Sequence, residues 1–150
     1  MLPCGPNDKR SLKAKTIMGS SHRLALDTNA FSRFMRGDAQ IAEVLDSAQT
    51  IALPVIVLAE LRAGFAYGSK PKQYNQILDT FLQNPHVEIL HITDETVPLY
   101  AELYARNKRL GQPVSPHDYW IAALCIQRNF PLLTFDKDFD SLPSVRRFML

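Results

Sequence analysis

The chain has 150 residues, 46% of them apolar, which suits one soluble domain with a real core. Its net charge is +2, so bulk charge does not mark it as a nucleic-acid binder, and any RNA contact needs a local basic patch. The longest apolar stretch, Ile51–Ala59, is too short to span a bilayer and contains Pro54, so no membrane span is expected.

Residues 1–20 are polar and basic, with no period and no apolar core for a signal peptide. They read as a disordered N-terminal extension, with Met18 as a second candidate start. Arg23–Asp27 reads as a short apolar strand, followed by helices at Ala30–Arg36 and Ile41–Ser47. Ile51–Leu53 is a second strand. Pro54 stands where proline opens a helix, which runs to about Tyr67 and ends near Gly68. Lys70–Gln83 carries apolar residues at helical spacing. Val87–Leu90 is a third strand.

A helix is expected from about Asp94 to Leu110, with acids in its first turn and Arg106, Lys108 and Arg109 in its last. Ser115-Pro116 opens another that runs through Arg128 and holds Cys125, read as a buried free thiol. Pro131–Thr134 is a fourth strand, and Arg147–Leu150 is a candidate fifth. Strands separated by helices imply parallel pairing and an α/β layered fold. The two cysteines, Cys4 and Cys125, offer neither metal spacing nor a disulfide framework, so a reducing, cytoplasmic setting is expected.

Carboxylates occur at positions that a bare scaffold does not require. Asp27 ends the first strand, where ligands gather in parallel sheets, although it could equally cap the helix that follows. Glu60 is the only charge in Pro54–Leu61, so burial is expected, and its conflict with burial calls for a cation, or for Arg62 or another base at the helix edge as a partner. Asp118 completes a capping box with Ser115. Asp136 follows the fourth strand. The series Asp136, Asp138, Asp140 fails as a calcium loop, because Ser141 and Arg147 stand where glycine and glutamate are required. Four such carboxylates in one crevice repel unless a divalent cation holds them, and an all-oxygen set favours Mg²⁺ or Mn²⁺ over zinc.

Four segments, LALDTNAF (Leu24–Phe31), VLAELRAG (Val57–Gly64), SPHDYWIAA (Ser115–Ala123) and LLTFDKDF (Leu132–Phe139), together resemble the PIN domain, in particular the VapC-type toxins of toxin–antitoxin pairs. The resemblance covers most of residues 23–150 and defines a PIN domain at 21–150. It implies a three-layer fold around a parallel sheet of about five strands, and Asp27, Glu60, Asp118 and Asp136 as metal-binding, catalytic acids. It gives Asn29 and Thr134 supporting hydrogen bonds, and treats His117 as a variable position. It further implies a Mg²⁺-dependent endoribonuclease, a homodimer, and an antitoxin partner that blocks the pocket. A basic rim would then carry the RNA, with Arg33, Arg36, Arg62, Lys108, Arg109 and Lys137 as candidates.

The alternative is a non-catalytic PIN scaffold that binds RNA or protein. A haloacid-dehalogenase-like phosphatase is disfavoured, because it needs a second aspartate at the position of Asn29. A phosphorylation-receiver domain is disfavoured because Ile51–Leu53 ends in no acid.

Overall fold

The computed structural model describes residues 22–150; the expected N-terminal extension lies outside the described residues. The elements follow in the order β1 (His22–Leu26), α1 (Thr28–Met35), α2 (Ala39–Ser47), β2 (Ala48–Pro54), α3 (Val55–Tyr67), α4 (Pro71–Leu82), β3 (Val87–Leu90), α5 (Thr96–Arg109), α6 (Pro116–Arg128) and β4 (Leu132–Leu133). A short 3-10 turn, Lys137–Ser141, follows β4.

The strands form one parallel sheet in the order β3-β2-β1-β4. This sheet has four strands rather than about five. The expected fifth, at Arg147–Leu150, is reduced to a single bridge between Leu132 and Arg147. Two hydrogen bonds, from Leu132 N to Arg146 O and from Phe148 N to Leu132 O, fasten this tail to β4. A partner strand of only two residues leaves little ladder to extend.

The central strands are covered on both faces, as parallel sheets require. Leu24, Ala25 and Leu26 of β1 and Ala52 and Leu53 of β2 are fully buried. β2 is longer than expected because Ala48–Thr50 also pair, against His22 and Arg23. Pro54 closes β2 and caps α3, one position earlier than anticipated.

α6 is buried through its middle, from Tyr119 through Cys125 with only Trp120 partly exposed. It stops at Asn129, which takes the left-handed conformation (φ 58°) that asparagine tolerates better than most residues. Its side chain accepts a hydrogen bond from Arg146 Nη2 at 2.9 Å.

α3 is apolar in composition yet one-sided in burial. Val57, Leu61 and Phe65 form the buried stripe, while Ala59, Ala63 and Ala66 face solvent. Alanine is a strong helix former whose small side chain loses little in water. Among the described residues, no helix is long and apolar enough to cross a membrane.

α1 packs through an aromatic cluster. Phe31 meets Phe81 of α4 edge-on at 5.0 Å between ring centroids, and Phe34 touches both rings. Phe81 is almost fully buried. Phe81→Ala is expected to lower unfolding stability by about 3–5 kcal/mol in urea melts. A loss below about 1 kcal/mol would show that this cluster does not anchor α1.

Candidate active site

The chain runs outward from β1 through β2 to β3, then returns to add β4 on the opposite side of β1. The connections therefore diverge between β1 and β4, and the carboxyl ends of these two strands open a crevice there. Asp27 follows β1 directly, and Thr134, Phe135 and Asp136 follow β4.

Asp27 is the buried acid of the site, with 3% of its surface exposed. Its Oδ1 accepts a hydrogen bond from Ala30 N at 2.8 Å and so caps α1. Its Oδ2 accepts a short hydrogen bond from Thr134 Oγ1. Thr134 Oγ1 in turn accepts from Asp136 N at 3.0 Å, and Asp136 Oδ1 accepts from Asp138 N at 2.9 Å. One hydroxyl thus ties the end of β1 to the turn after β4. The carboxylate that caps α1 is thus the same one that Thr134 links to the Asp136 turn.

Asp118 stands in the first turn of α6. Ser115 Oγ donates to Asp118 Oδ2 at 2.8 Å and accepts from Asp118 N at 3.3 Å, so Ser115 caps α6 as anticipated, while the Asp118 carboxylate reaches back to the serine hydroxyl rather than to its backbone N–H. Burial raises the pKa of Asp27 above its ordinary value of 3.8; the bonds from Thr134 and Ala30 oppose this, and the charges of Asp136 and Asp118 add to it. Burial likewise raises that of Asp118; the bond from Ser115 opposes it, and repulsion from Asp136 and Asp138 adds to it. These mutual repulsions tie Asp27, Asp118 and Asp136 into one electrostatic set.

Glu60 departs from expectation. It is 31% exposed on its side chain, because it lies beside the alanine face of α3 rather than in a closed turn. Its partner is not Arg62 but His117, whose Nδ1 lies 3.5 Å from Glu60 Oε1. Since His117 precedes Asp118, this contact joins Glu60 of α3 to the start of α6. Asn29 is exposed and makes no hydrogen bond to the acids among the described residues, whereas Thr134 holds two of the acidic segments. Asp140 turns away to Arg147 at 3.2 Å, which removes it as a competitor of Asp136.

The basic candidates divide by their partners. Arg62 Nη1 and Nη2 donate to Asn75 at 2.5 Å and Asp79 at 2.6 Å on α4, so this side chain braces two helices. Lys108 donates to Tyr104 Oη at 3.0 Å. Arg36, Arg109 and Lys137 are exposed. Arg33 lies over Phe135, its Cζ 3.8 Å from the ring centroid.

Phe135 carries no expectation from the sequence, and Arg147 only those of a failed calcium ligand and the start of a candidate fifth strand. Arg147 Nη2 donates to Thr134 O at 3.4 Å. Neither residue carries a local signal, since each is defined by a contact made across the fold. Cys125 is the buried thiol anticipated, and burial, with Asp27 nearby, pushes it up to about 12.

Among the described residues, no three His, Cys, Asp or Glu side chains already stand together as a metal-binding cluster. The donor set nevertheless fits a hard divalent cation: it is all oxygen, and the charges of Asp118 and Asp136 oppose ionisation of Asp27. Beside Asp27, the Thr28 hydroxyl is buried without a hydrogen-bond partner among the described residues.

The chain is thus a parallel α/β domain with acids at the carboxyl ends of the two strands that flank its topological switch point. Among such domains, it belongs to the PIN-domain family, whose sequence profile matches residues 24–144. It is 32% identical over 117 residues to ribonuclease VapC5 of Mycobacterium tuberculosis, covering 78% of this chain and 85% of that protein. It is 33% identical over 104 residues to ribonuclease VapC2 of Rickettsia felis, covering 69% and 76%. Among solved structures, it resembles VapBC2 of Rickettsia felis bound to a promoter DNA fragment, with a TM-score of 0.78 and 27% identity over 84% of this chain and 97% of that one.

The raised pKa values of Asp27 and Asp118 fix the sign of a pH effect. The folded protein holds these protons more tightly than the unfolded chain, so stability falls as pH rises from about 3.8 through the raised values. Without divalent ions, the melting temperature is expected to decline over that window, and Asp27→Asn should flatten the decline. An unchanged slope in Asp27→Asn would show that its ionisation carries no strain.

Proposed function

We propose that this chain is a Mg²⁺-dependent endoribonuclease that hydrolyses RNA phosphodiester bonds in the cytoplasm, as the toxin of a VapBC-type toxin–antitoxin pair. The observation that carries this reading is the Asp27–Thr134–Asp136 hydrogen-bond chain with Asp118 electrostatically coupled to it. The ribonuclease names of its relatives and the VapBC complexes among its structural neighbours support it.

Asp27, Asp118 and Asp136, with Glu60, would hold Mg²⁺ or Mn²⁺. Such an ion, when bound, supplies positive charge that acidifies water and offsets the charge developing on the phosphate. Asp27 cannot turn, because both its oxygens accept fixed hydrogen bonds. Thr134 keeps Asp27 and Asp136 in register. Glu60 reaches solvent and orients the attacking water through its carboxylate. In-line attack on phosphorus breaks the bond to the 3′ oxygen and leaves a 5′-phosphate and a 3′-hydroxyl. No covalent nucleophile takes part.

The partners are RNA, a second copy of the chain as a homodimer, and an antitoxin that presents a basic side chain to the acids. Arg33, Arg36, Lys137 and Arg109 remain the basic residues available to RNA, and Arg62 serves instead as a structural brace.

The absence of a ready three-residue cluster is also what a non-catalytic PIN scaffold would have. Titration calorimetry with Mn²⁺ separates the two readings, since a dead scaffold takes up no heat-producing ion at Asp27 and Asp118. Asp27→Ala and Asp118→Ala should each lower cleavage of total RNA roughly 100-fold or more with circular dichroism preserved, and EDTA should do the same to the wild type. Full activity in either variant would overturn the assignment.

A further inference from the structure

We propose that Phe135 and Arg33 form a nucleotide seat at the rim of the acidic site: Phe135 stacks on one base of single-stranded RNA, and Arg33 grips the adjoining phosphate. This deepens the ribonuclease reading and rests on it.

Three observations converge. Phe135 lies between Thr134 and Asp136, so the backbone that positions the acids also positions the ring. It remains 36% exposed, although its neighbour Thr134 is buried. A single exposed aromatic residue is ordinary on its own; this one adjoins two site residues and carries a cation.

Arg33 is the second observation. Its guanidinium covers the Phe135 ring at 3.8 Å, well within stacking range. The third is its lack of an acid. Arg62, Arg128 and Arg147 pair with Asp79, Glu88 and Asp140, whereas Arg33 pairs with no carboxylate among the described residues. The guanidinium makes no hydrogen bond to a partner among the described residues, and its N–H groups match two phosphate oxygens.

Helix geometry sets the scale. Arg33 follows Asp27, the cap of α1, by six residues, about 9 Å of helix rise. The seat therefore lies beside the acids and not on a remote face. Single-stranded RNA offers unstacked bases that dock on aromatic rings and arginine planes, whereas a duplex hides them.

The test uses a mixed-sequence octaribonucleotide with Mg²⁺. Phe135→Leu is expected to raise KM about 10-fold with kcat within about 2-fold, and Phe135→Trp to keep KM near the wild-type value. Arg33→Gln should raise KM and reduce the salt dependence by about one phosphate contact. Placing an abasic ribose at each position in turn should reveal one position that gives the wild type the KM of Phe135→Leu and leaves that variant unaffected.

Unchanged KM in Phe135→Leu and Arg33→Gln, with melting temperatures preserved, would overturn the seat and leave the nuclease reading standing. Binding supplies the independent arm. A fluorescein-labelled octamer should bind Asp118→Asn about 10-fold more tightly than it binds Asp118→Asn/Phe135→Leu. That difference in a protein whose wild type cleaves no RNA would support the seat while removing the nuclease reading. Equal or absent binding in both proteins would overturn the seat.

Discussion

The Thr134 hydroxyl stands between two acidic segments that are 107 residues apart in sequence. It donates to the buried Asp27 carboxylate and accepts from the backbone of Asp136, so neither segment can shift without breaking a bond to the other. An aspartate buried to this degree is costly unless its oxygens are satisfied, and here Thr134 and Ala30 N satisfy them. The rest of the site depends on that arrangement. Asp118 and Asp136 both lie close enough to the fixed Asp27 to raise its pKa by repulsion, and Asp136 does the same to Asp118.

Strand order produces this proximity. Had β4 joined the outer edge of β3, Asp136 would lie across the sheet from Asp27. Because β4 pairs with β1, their carboxyl ends open side by side, and α6 brings Asp118 over the same opening. The two-residue β4 is a weak ladder by itself. The tail reinforces it: Arg146 O and Phe148 N bond to Leu132, and Arg147 reaches the Thr134 carbonyl. The last residues of the chain thus stabilise the strand on which the site's central hydroxyl rides.

The basic residues show how partners sort charge into roles. Arg62 and Arg33 look equivalent in sequence, each on a helix that borders an acidic segment. Arg62 is spent on Asp79 and Asn75, and holds α3 against α4. Arg33 lies on an aromatic ring next to Thr134 and Asp136 and pairs with no carboxylate among the described residues. Coulomb attraction in water is weak and promiscuous at a surface. What distinguishes these two arginines is which side chains the packing of helices happened to bring within reach.

The sequence by itself determined the alternation of strands and helices, the buried β1 and β2, the Ser115 cap of α6 and the placement of Asp27 at a strand end. These follow from periodicity and local capping, which act within a few residues. It also carried the four acidic segments of the family in their order. Only the tertiary structure decided how those acids relate. Glu60 was expected to be buried because its helix is apolar, yet alanines on the outer face leave it partly in water beside His117. The fifth strand shrank to a bridge because its neighbour offers two residues to pair with. Phe135 and Arg147 acquired their partners only through contacts across the fold. Such contacts depend on strand order and helix packing, which no local pattern encodes.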